Sequence, residues 1–434
     1  MKAKFEINAG QVSRRTFIYA AGAVVAGAAA PRAKAFAATP AGANERIGVG
    51  LIGCGGRGRH LIGEVAALRD EGAPVDIVAA CDVYRPRMEE TAMKYDAKRY
   101  MDHRELLADP NVDLVCIATP DHIHGPQTID AVRANKDVYC EKPFTHWRQF
   151  ELTKRAVEEV KKSGRIFQLG TQGMSDSAWH QIHKLVQDGL IGQPIHAECG
   201  YFRVGDWGER GMKIDDPNAT PGPDLNWDAF LGDSPKRDFD VSRFFRWRMY
   251  EDYSGGPVTD LFPHSLTPVV FMLGLGMPSI AVGTGGKFRY EEREVPDTFN
   301  MLLDYPEGIT IAVLGTQGNN YFGDNARGSG GRCPTLRGWE GSITIEKNPD
   351  SKEDEIVFRP AEGSKKEMQR FAIEHPESVR AHWRNLIECV QTRQQPESPI
   401  DLAFHVQTAL QMAALAQRNG RTARFDADAG TIVV

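Results

Sequence analysis

Runs of apolar residues alternate with segments of helical periodicity along the first third of the chain. Ile47–Ile52 reads as a buried strand, and Arg59–Leu68 repeats its apolar residues at helical spacing. Further strand-like runs lie at Asp76–Cys81, Val112–Ala118 and Asp137–Cys140, with helical segments between them. Strands that alternate with helices predict an α/β domain with a parallel sheet, whose ligands bind beyond the carboxyl ends of the strands.

A glycine-rich turn joins the first strand to the first helix. Gly53, Gly55 and Gly58 form a Gly-x-Gly-x-x-Gly pattern. In a dinucleotide-binding turn the first glycine permits the tight turn, the second lets the backbone approach a pyrophosphate, and the third lets the helix pack close to the strand. Because the pattern lies between a strand and a helix, it predicts dinucleotide binding, with Gly56 and Arg57 among the contacts.

The residue that ends the second strand bears on the choice between NAD and NADP. Asp82 follows the glycines at roughly the 20-residue distance at which a carboxylate binds the adenosine ribose hydroxyls. This carboxylate would repel a 2′-phosphate, so it favours NAD over NADP. Arg85 and Arg87 argue in the other direction, because arginines after the second strand can bind a phosphate.

The first forty residues have the pattern of an export signal. Residues 13–17, Ser-Arg-Arg-Thr-Phe, precede a short apolar run, Ala20–Ala30, and a small-residue cleavage site at 33–35. The serine, the paired arginines and Phe17 match a twin-arginine signal, while a general secretory signal is the alternative. The run is too short to cross a membrane. We therefore expect residues 1–37 to be removed, leaving a soluble periplasmic or otherwise extracytoplasmic protein.

Composition and charge exclude several classes of protein. The chain has 434 residues, of which 41% are hydrophobic and 25% charged, enough for two or three packed domains. The net charge of −6, without a basic cluster beyond the N-terminus, argues against a nucleic acid partner. The seven cysteines are odd in number and widely spread, so we expect small buried residues rather than disulfides.

Several motifs resemble those of the Gfo/Idh/MocA family of oxidoreductases. Ala-Thr-Pro at 118–120, His124 and Glu-Lys-Pro at 141–143 stand as in that family. The segment 255–264 is similar to the family's Gly-Gly…Asp-x-x-x-His segment, and the resemblance extends from about residue 47 to about 425.

The resemblance implies two domains after the signal. It places a Rossmann domain at 44–168 and a C-terminal α/β domain, with an open and largely antiparallel sheet, at 169–425. Strand-like stretches agree with that sheet, at Ile195–Phe202, Thr298–Asp304, Thr310–Leu314 and Ser342–Ile345. Such a sheet commonly forms a dimer interface, so the resemblance also implies a homo-oligomer, either a dimer or a tetramer.

The resemblance assigns roles to individual residues. Lys142 would contact the substrate hydroxyl and the nicotinamide ribose, and Asp260 would orient the substrate or assist a proton relay. His264 is the candidate general base, because an imidazole ordinarily titrates near neutrality. Four further residues would bind the cofactor: Thr119, Pro120, His124 and Glu141.

The helix that carries Asp260 and His264 must accommodate two prolines. Residues four apart on a helix share one face. Pro263 and Pro268 fit poorly inside a helix, so we expect the helix to begin nearby or to bend.

The stretch from Trp179 to Tyr253 is rich in aromatic residues and arginines. Aromatic faces combined with hydrogen-bonding groups suit a carbohydrate, although most single aromatic residues are core residues. Gln172, Trp207 and Arg248 are the substrate-binding candidates. We predict no metal site, because His122 and His124 lack further ligands at suitable spacing.

Together these features predict a nicotinamide-dependent oxidoreductase that transfers a hydride to or from a secondary hydroxyl of a sugar or polyol. Free nicotinamide cofactor is scarce outside the cytoplasm, so we expect the enzyme to hold its NAD tightly. One alternative is an NAD-dependent glycoside hydrolase that works by transient oxidation and elimination. The other is a non-catalytic sugar-binding protein. No membrane partner is expected once the signal is removed.

Overall fold

The protein contains two sheets, each formed by one of the two expected domains. The structure is a computed structural model that describes residues 46–204, 212–321 and 326–434. Within these ranges the first sheet has six parallel strands and the second is mixed and mostly antiparallel. The predicted fold class is therefore confirmed.

The parallel sheet has the strand order β3-β2-β1-β4-β5-β6. Its strands are β1 (Ile47–Ile52), β2 (Val75–Cys81), β3 (Lys98–Tyr100), β4 (Leu114–Ile117), β5 (Asp137–Cys140) and β6 (Phe167–Leu169). Its helices are α1 (Gly56–Asp70), α2 (Arg85–Tyr95), α3 (His103–Ala108), α4 (Asp121–Arg133) and α5 (Phe150–Ser163). Every residue of β1, β4 and β5 is buried, because helices cover both faces of a doubly wound sheet.

The second sheet has the order β15-β14-β13-β12-β7-β10-β9-β8-β16-β17, with β11 paired to β7. Its strands are β7 (Pro194–Val204), β8 (Ile280–Gly286), β9 (Thr298–Tyr305), β10 (Ile309–Thr316), β11 (Gly318–Asn319), β12 (Arg332–Gly338), β13 (Gly341–Lys347), β14 (Asp354–Pro360), β15 (Gln369–Ala372), β16 (Ala423–Asp426) and β17 (Thr431–Val433). Its helices are α6 (Ser177–Gln187), α7 (Trp227–Leu231), α8 (Val241–Phe245), α9 (Pro257–Asp260), α10 (Phe262–Leu273), α11 (Val379–Thr392) and α12 (Ile400–Asn419). The last strand, β17, lies past residue 425, at which the sequence analysis ended this domain.

Among the residues that the structure describes, one face of the second sheet is packed and the other is open. Burial alternates strictly along β10, as expected for a strand with one face on a core. The buried face contacts α10, α12 and α6 and includes Met301, Ile311 and Val313. The other face is open to solvent. On it Val282 of β8 lies opposite Leu302 of β9, and the two side chains are 43% and 50% exposed, respectively.

A separate aromatic cluster fills the connection between β7 and β8. Trp227, Phe230, Phe244 and Phe245 are its central members, and Tyr84 joins it from the end of β2. Residues 212–253 of this connection are called the aromatic segment below. It packs on the Rossmann domain at the edge where the parallel strands end.

After the second sheet the chain returns to the Rossmann domain. Helix α11 packs against α1, and its fully buried Trp383 stacks on Tyr139 of β5 at a centroid distance of 4.5 Å. The amide of Leu169, at the end of β6, donates a hydrogen bond to the Ser398 carbonyl at 3.0 Å. The Rossmann sheet is therefore covered partly by residues that come late in the chain.

All seven cysteines are free thiols and buried. Burial is the first cause of the raised pKa at each thiol, for example Cys199, whose pKa rises to about 12. The expectation of small buried residues rather than disulfides is confirmed. Among the described residues, no helix combines the length and the apolar character that a membrane span requires.

Candidate active site

A cavity of about 1210 Å³ lies at the carboxyl ends of β1, β2, β4 and β5, between the Rossmann sheet and the second domain. Its size is at the upper end for small-molecule sites. Most of the predicted site residues line it, namely Gly53, Gly55, Gly56, Arg57, Asp82, Thr119, Pro120, Glu141, Lys142, Gln172, Arg248, Asp260 and His264. The structure therefore brings the predicted cofactor and catalytic residues to one place.

The glycine turn has the geometry that a pyrophosphate requires. Gly53 has φ +97°, a conformation that other residues rarely adopt. A Cβ at Gly58 would lie 1.9 Å from the Gly53 carbonyl oxygen, so only glycine lets α1 start this close to β1. At Gly56 a Cβ would meet nothing within 4 Å, which leaves the helix N-terminus open toward the cavity. These residues fit the pyrophosphate of a dinucleotide.

Asp82 lies at the end of β2, where the ribose hydroxyls are expected. Its carboxylate accepts hydrogen bonds from the amides of Cys54 at 2.7 Å and Tyr84 at 2.9 Å, one on each oxygen. Burial raises the pKa of Asp82, while Arg87 and the two amides oppose that shift. Each carboxylate oxygen can accept a further hydrogen bond, so the residue fits a ribose diol.

Lys142 and Asp260 form a buried ion pair on the opposite wall. The Lys142 ammonium donates to the Asp260 carboxylate at 2.9 Å and to its backbone carbonyl at 2.5 Å. Arg248 and Arg203 lie 3.3 and 3.6 Å from the same carboxylate. Burial alone would raise the pKa of Asp260, but these three cations hold it far below its ordinary value. Asp260 is therefore an ionised anchor that fixes the ammonium of Lys142.

His264 faces the same cavity from the start of α10. Helix α9 ends at Asp260 and α10 begins at Phe262, so the expected interruption falls at Leu261. Pro263 occupies the first turn of α10, where proline is tolerated. Within the described residues the Nδ1 atom of His264 is buried and has no hydrogen-bond partner.

The protonation of His264 differs from the sequence-based expectation. Burial, with the Lys142 and Arg57 cations, holds its pKa well below the ordinary value of 6.5, although Asp260 opposes them. The imidazole is therefore neutral near pH 7. A neutral imidazole retains the lone pair that a general base needs.

Glu141 and Gln172 are held by Arg57 of the glycine turn. Arg57 donates to the Glu141 carboxylate at 2.8 Å and to the Gln172 side-chain oxygen at 3.1 Å. Glu141 also accepts from the Lys142 amide at 3.2 Å. These contacts tie the glycine turn to the loop that carries Lys142. Gln172 was expected to bind substrate, and in the structure its side-chain oxygen supports Arg57.

His124 does not line the cavity, contrary to the expectation drawn from the resemblance. It is 1% exposed, and its two ring nitrogens lie 2.7 Å from the carbonyl oxygens of Pro143 and Thr119. The His124 side chain therefore bridges the loops that follow β4 and β5, behind the wall of the cavity. Thr119 lines the cavity, and its hydroxyl donates to Gln127 at 2.7 Å.

Two site residues lacked a signal in the sequence. Arg203 belongs to β7 and reaches Asp260 of α9, 57 residues later in the same domain. Asp121 begins α4, is 3% exposed, and accepts a hydrogen bond from the Thr259 hydroxyl at 3.4 Å. Burial raises the pKa of Asp121 to about 7, with Asp260 adding to the shift and Arg248 and Lys142 opposing it. Trp207, the remaining substrate candidate, lies outside the described residues. Among the described residues, no group of His, Cys, Asp and Glu side chains is arranged to bind a metal ion.

The raised pKa of Asp121 predicts a pH-dependent stability. Between about pH 4 and pH 7 the folded protein keeps this proton, while the unfolded chain, with the ordinary value of 3.8, has lost it. The Asp121 contribution is therefore present at low pH and is lost as the pH rises through 7. Because asparagine resembles the protonated carboxyl, thermal unfolding of wild type and Asp121→Asn should give similar midpoints near pH 4 that separate as the pH rises toward 9, with the wild type becoming the less stable protein. Parallel curves would contradict the prediction.

The fold and the cavity define a two-domain dinucleotide-binding protein. The family model described as "Oxidoreductase family, NAD-binding Rossmann fold" matches residues 47–171, and that for the C-terminal α/β domain of the same family matches residues 175–322. The chain belongs to the Gfo/Idh/MocA oxidoreductase family, and its first domain is the NAD-binding domain of that family.

Relatives of known activity match parts of the chain. The inositol 2-dehydrogenase of Salmonella typhimurium is 27% identical over 210 residues, 48% of this chain and 54% of the relative. The scyllo-inositol 2-dehydrogenase (NAD(+)) of Bacillus subtilis is 34% identical over 121 residues, 28% of this chain and 35% of the relative. The chain thus spans about half the length, or less, of these curated relatives.

Among solved structures, the aldose-aldose oxidoreductase of Caulobacter crescentus complexed with glycerol has a TM-score of 0.63 at 20% identity. The superposition covers 87% of this chain and 99% of the Caulobacter crescentus chain. At this identity the similarity extends to the fold alone.

Proposed function

We propose that this protein is an NAD-dependent oxidoreductase that transfers a hydride to or from a secondary hydroxyl of a sugar or polyol. One observation carries the proposal: Lys142, Asp260 and His264 line the same cavity as the glycine turn. The similarity to inositol dehydrogenases and to an aldose-aldose oxidoreductase supports a polyhydroxylated substrate.

The side chains of the cavity have separate roles in alcohol oxidation. The bound dinucleotide supplies the hydride acceptor or donor. Lys142, held by Asp260, donates a hydrogen bond to the substrate oxygen and stabilises negative charge that develops there. His264, neutral at working pH, accepts the proton of the hydroxyl and returns it in the reverse direction. Arg248 and Arg203 lie within 4 Å of the Asp260 carboxylate and keep the ion pair in place.

The aromatic segment supports tight retention of the cofactor. Its Met212, Phe230, Phe244 and Trp247 line the cavity on the side facing the glycine turn. Backbone hydrogen bonds of 2.9 Å fix it to the residues after β2, from the Arg85 amide to Asp224 and from the Asn226 amide to Val83. A nucleotide in the cavity would be covered by this segment, so its release would require the segment to move.

The proposal is tested with purified, undenatured protein. Denaturation should release NAD, identified by mass spectrometry, and the native protein should turn over members of a panel of sugars and polyols when a second sugar is supplied as acceptor. Absence of released nucleotide would count against retention, and absence of turnover on the whole panel would count against the enzyme. Net hydrolysis of a glycoside, without added cofactor and without accumulation of NADH, would instead identify the redox-neutral hydrolase.

Export through the twin-arginine route remains a proposal, because residues 1–37 lie outside the described residues. It is supported by the Ser-Arg-Arg-Thr-Phe motif at 13–17. Fractionation of cells that produce the wild type and the Arg14→Lys/Arg15→Lys variant decides it. Equal export of the two proteins would argue for the general secretory signal.

A homo-oligomer formed through the open face of the second sheet is also proposed. The exposed apolar pair Val282 and Leu302 lies at the centre of β8 and β9 on that face. Light scattering coupled to size-exclusion chromatography should give the mass of a dimer or tetramer for the wild type and a smaller mass for Leu302→Asp. A monomeric wild type would refute the proposal.

A further inference from the structure

Two arginines after β2 are neutralised by carboxylates from the second domain. Arg87 donates to the Asp215 carboxylate at 2.6 Å, and Arg85 donates to Asp224 at 2.7 Å. Both aspartates belong to the aromatic segment, more than a hundred residues from their partners in sequence. The two pairs have similar geometry but lie in different places relative to the cavity.

Arg87 belongs to the cavity wall, whereas Arg85 is not among the lining residues. One terminal nitrogen of Arg87 lies 3.6 Å from the position of a Cβ on Gly55, the glycine expected against the pyrophosphate. Its guanidinium also lies over the Phe245 ring, 5.1 Å from the centroid, which fixes its plane. Arg87 is therefore a preoriented cation beside the expected ribose and phosphate positions.

An arginine in this position is the residue type that accommodates the 2′-phosphate of NADP. Here its Nε is occupied by Asp215, which itself lines the cavity. Asp82, on the other side, interacts electrostatically with the same guanidinium. A 2′-phosphate entering this corner would meet two carboxylates and an arginine that is already paired.

We propose that Asp215 is a determinant of cofactor specificity, which selects NAD by pairing with Arg87 and by repelling the 2′-phosphate of NADP. The proposal rests on the nucleotide binding contained in the proposed function. In this proposal the selection of NAD over NADP depends on Asp215 of the second domain as well as on Asp82 of the Rossmann domain. Removing the Asp215 charge should therefore release Arg87 as a phosphate ligand while leaving Asp82 in place.

The test is a competition between the two nucleotides. Full-length wild type and Asp215→Asn are incubated with an excess of equimolar, isotopically labelled NAD and NADP until the bound fraction of label no longer changes, separated from free nucleotide, and the bound labelled nucleotides are quantified by mass spectrometry. The ratio of bound NADP to bound NAD should rise about tenfold or more in Asp215→Asn, because a like charge next to the phosphate is removed. The double variant Arg87→Ala/Asp215→Asn should return the ratio toward the wild-type value.

Asp224→Asn is the matched control. It breaks the same kind of arginine–aspartate pair between α2 and the aromatic segment, but its partner Arg85 does not line the cavity. Its ratio should equal that of the wild type. An equal rise in both variants would mean that the segment is loosened and would overturn the proposal, as would an unchanged ratio in Asp215→Asn. A wild type that binds neither nucleotide would overturn the proposed function as well.

Discussion

Asp260→Asn is expected to lower the free energy of unfolding by about 3 kcal/mol and to reduce turnover by roughly 100-fold or more. The Asp260 side chain is buried and has Lys142, Arg248 and Arg203 within 4 Å. An asparagine keeps the size of the side chain but leaves these cations without their counter-charge. Chemical denaturation and steady-state kinetics on the same preparations measure the two effects.

Asp252→Asn separates the loss of stability from the loss of activity. Asp252 is as buried as Asp260, at 8% exposure, and it also has three arginines around it, Arg237, Arg148 and Arg243. It is not among the residues that line the cavity. We expect a comparable loss of stability with turnover retained at a temperature where the variant is folded. Equal losses of turnover in both variants would show that Asp260 acts through stability alone.

His264→Asn is expected to reduce kcat by about 10²–10⁴-fold, the usual contribution of a general base, with little change in KM or in bound nucleotide. An asparagine can hydrogen bond to the substrate but cannot accept its proton. His183→Asn is the control, because His183 packs on Phe271 and bonds to the Met272 carbonyl outside the cavity. A loss of less than about fivefold would remove His264 from the proton transfer.

The pH profile gives an independent check on His264. Because its pKa is held well below 6.5, wild-type activity should show no acid limb at that ordinary imidazole value. A fall in kcat/KM with a midpoint near 6.5 that persists in Asp121→Asn, which lacks the Asp121 titration near pH 7, would contradict the lowered pKa of His264.

The sequence predicted the elements whose formation depends on residues close together along the chain, namely the glycine turn and the strands. The glycine turn could be recognised because the positive φ of Gly53 and the close approach at Gly58 each require a glycine. Four strands of each sheet followed from apolar runs and alternation, for example β10, whose burial alternates residue by residue. Lys142 could be placed with Asp82 and Thr119 because the strand ends of a parallel sheet converge, whereas Asp260 was placed there only because its motif resembles that of a family.

Other features depend on contacts that no local pattern encodes. Arg87 and Asp215 are 128 residues apart, and neither spacing nor periodicity relates them. The motif contains His124 but does not determine whether its ring faces the cavity or the two carbonyls behind it. The pKa values of Asp121 and His264 depend on burial and on cations from other elements, which only the folded structure specifies.

The return of the chain to the Rossmann domain bears on how the protein is made. Trp383 covers Tyr139, and Ser398 bonds to the end of β6, yet both are synthesised more than 200 residues after the sheet they complete. While the ribosome is still translating the second domain, that side of the nascent Rossmann sheet lacks its cover and offers apolar surface to chaperones. A fragment that stops at residue 171 would lack this cover and would keep that surface, including Tyr139, exposed.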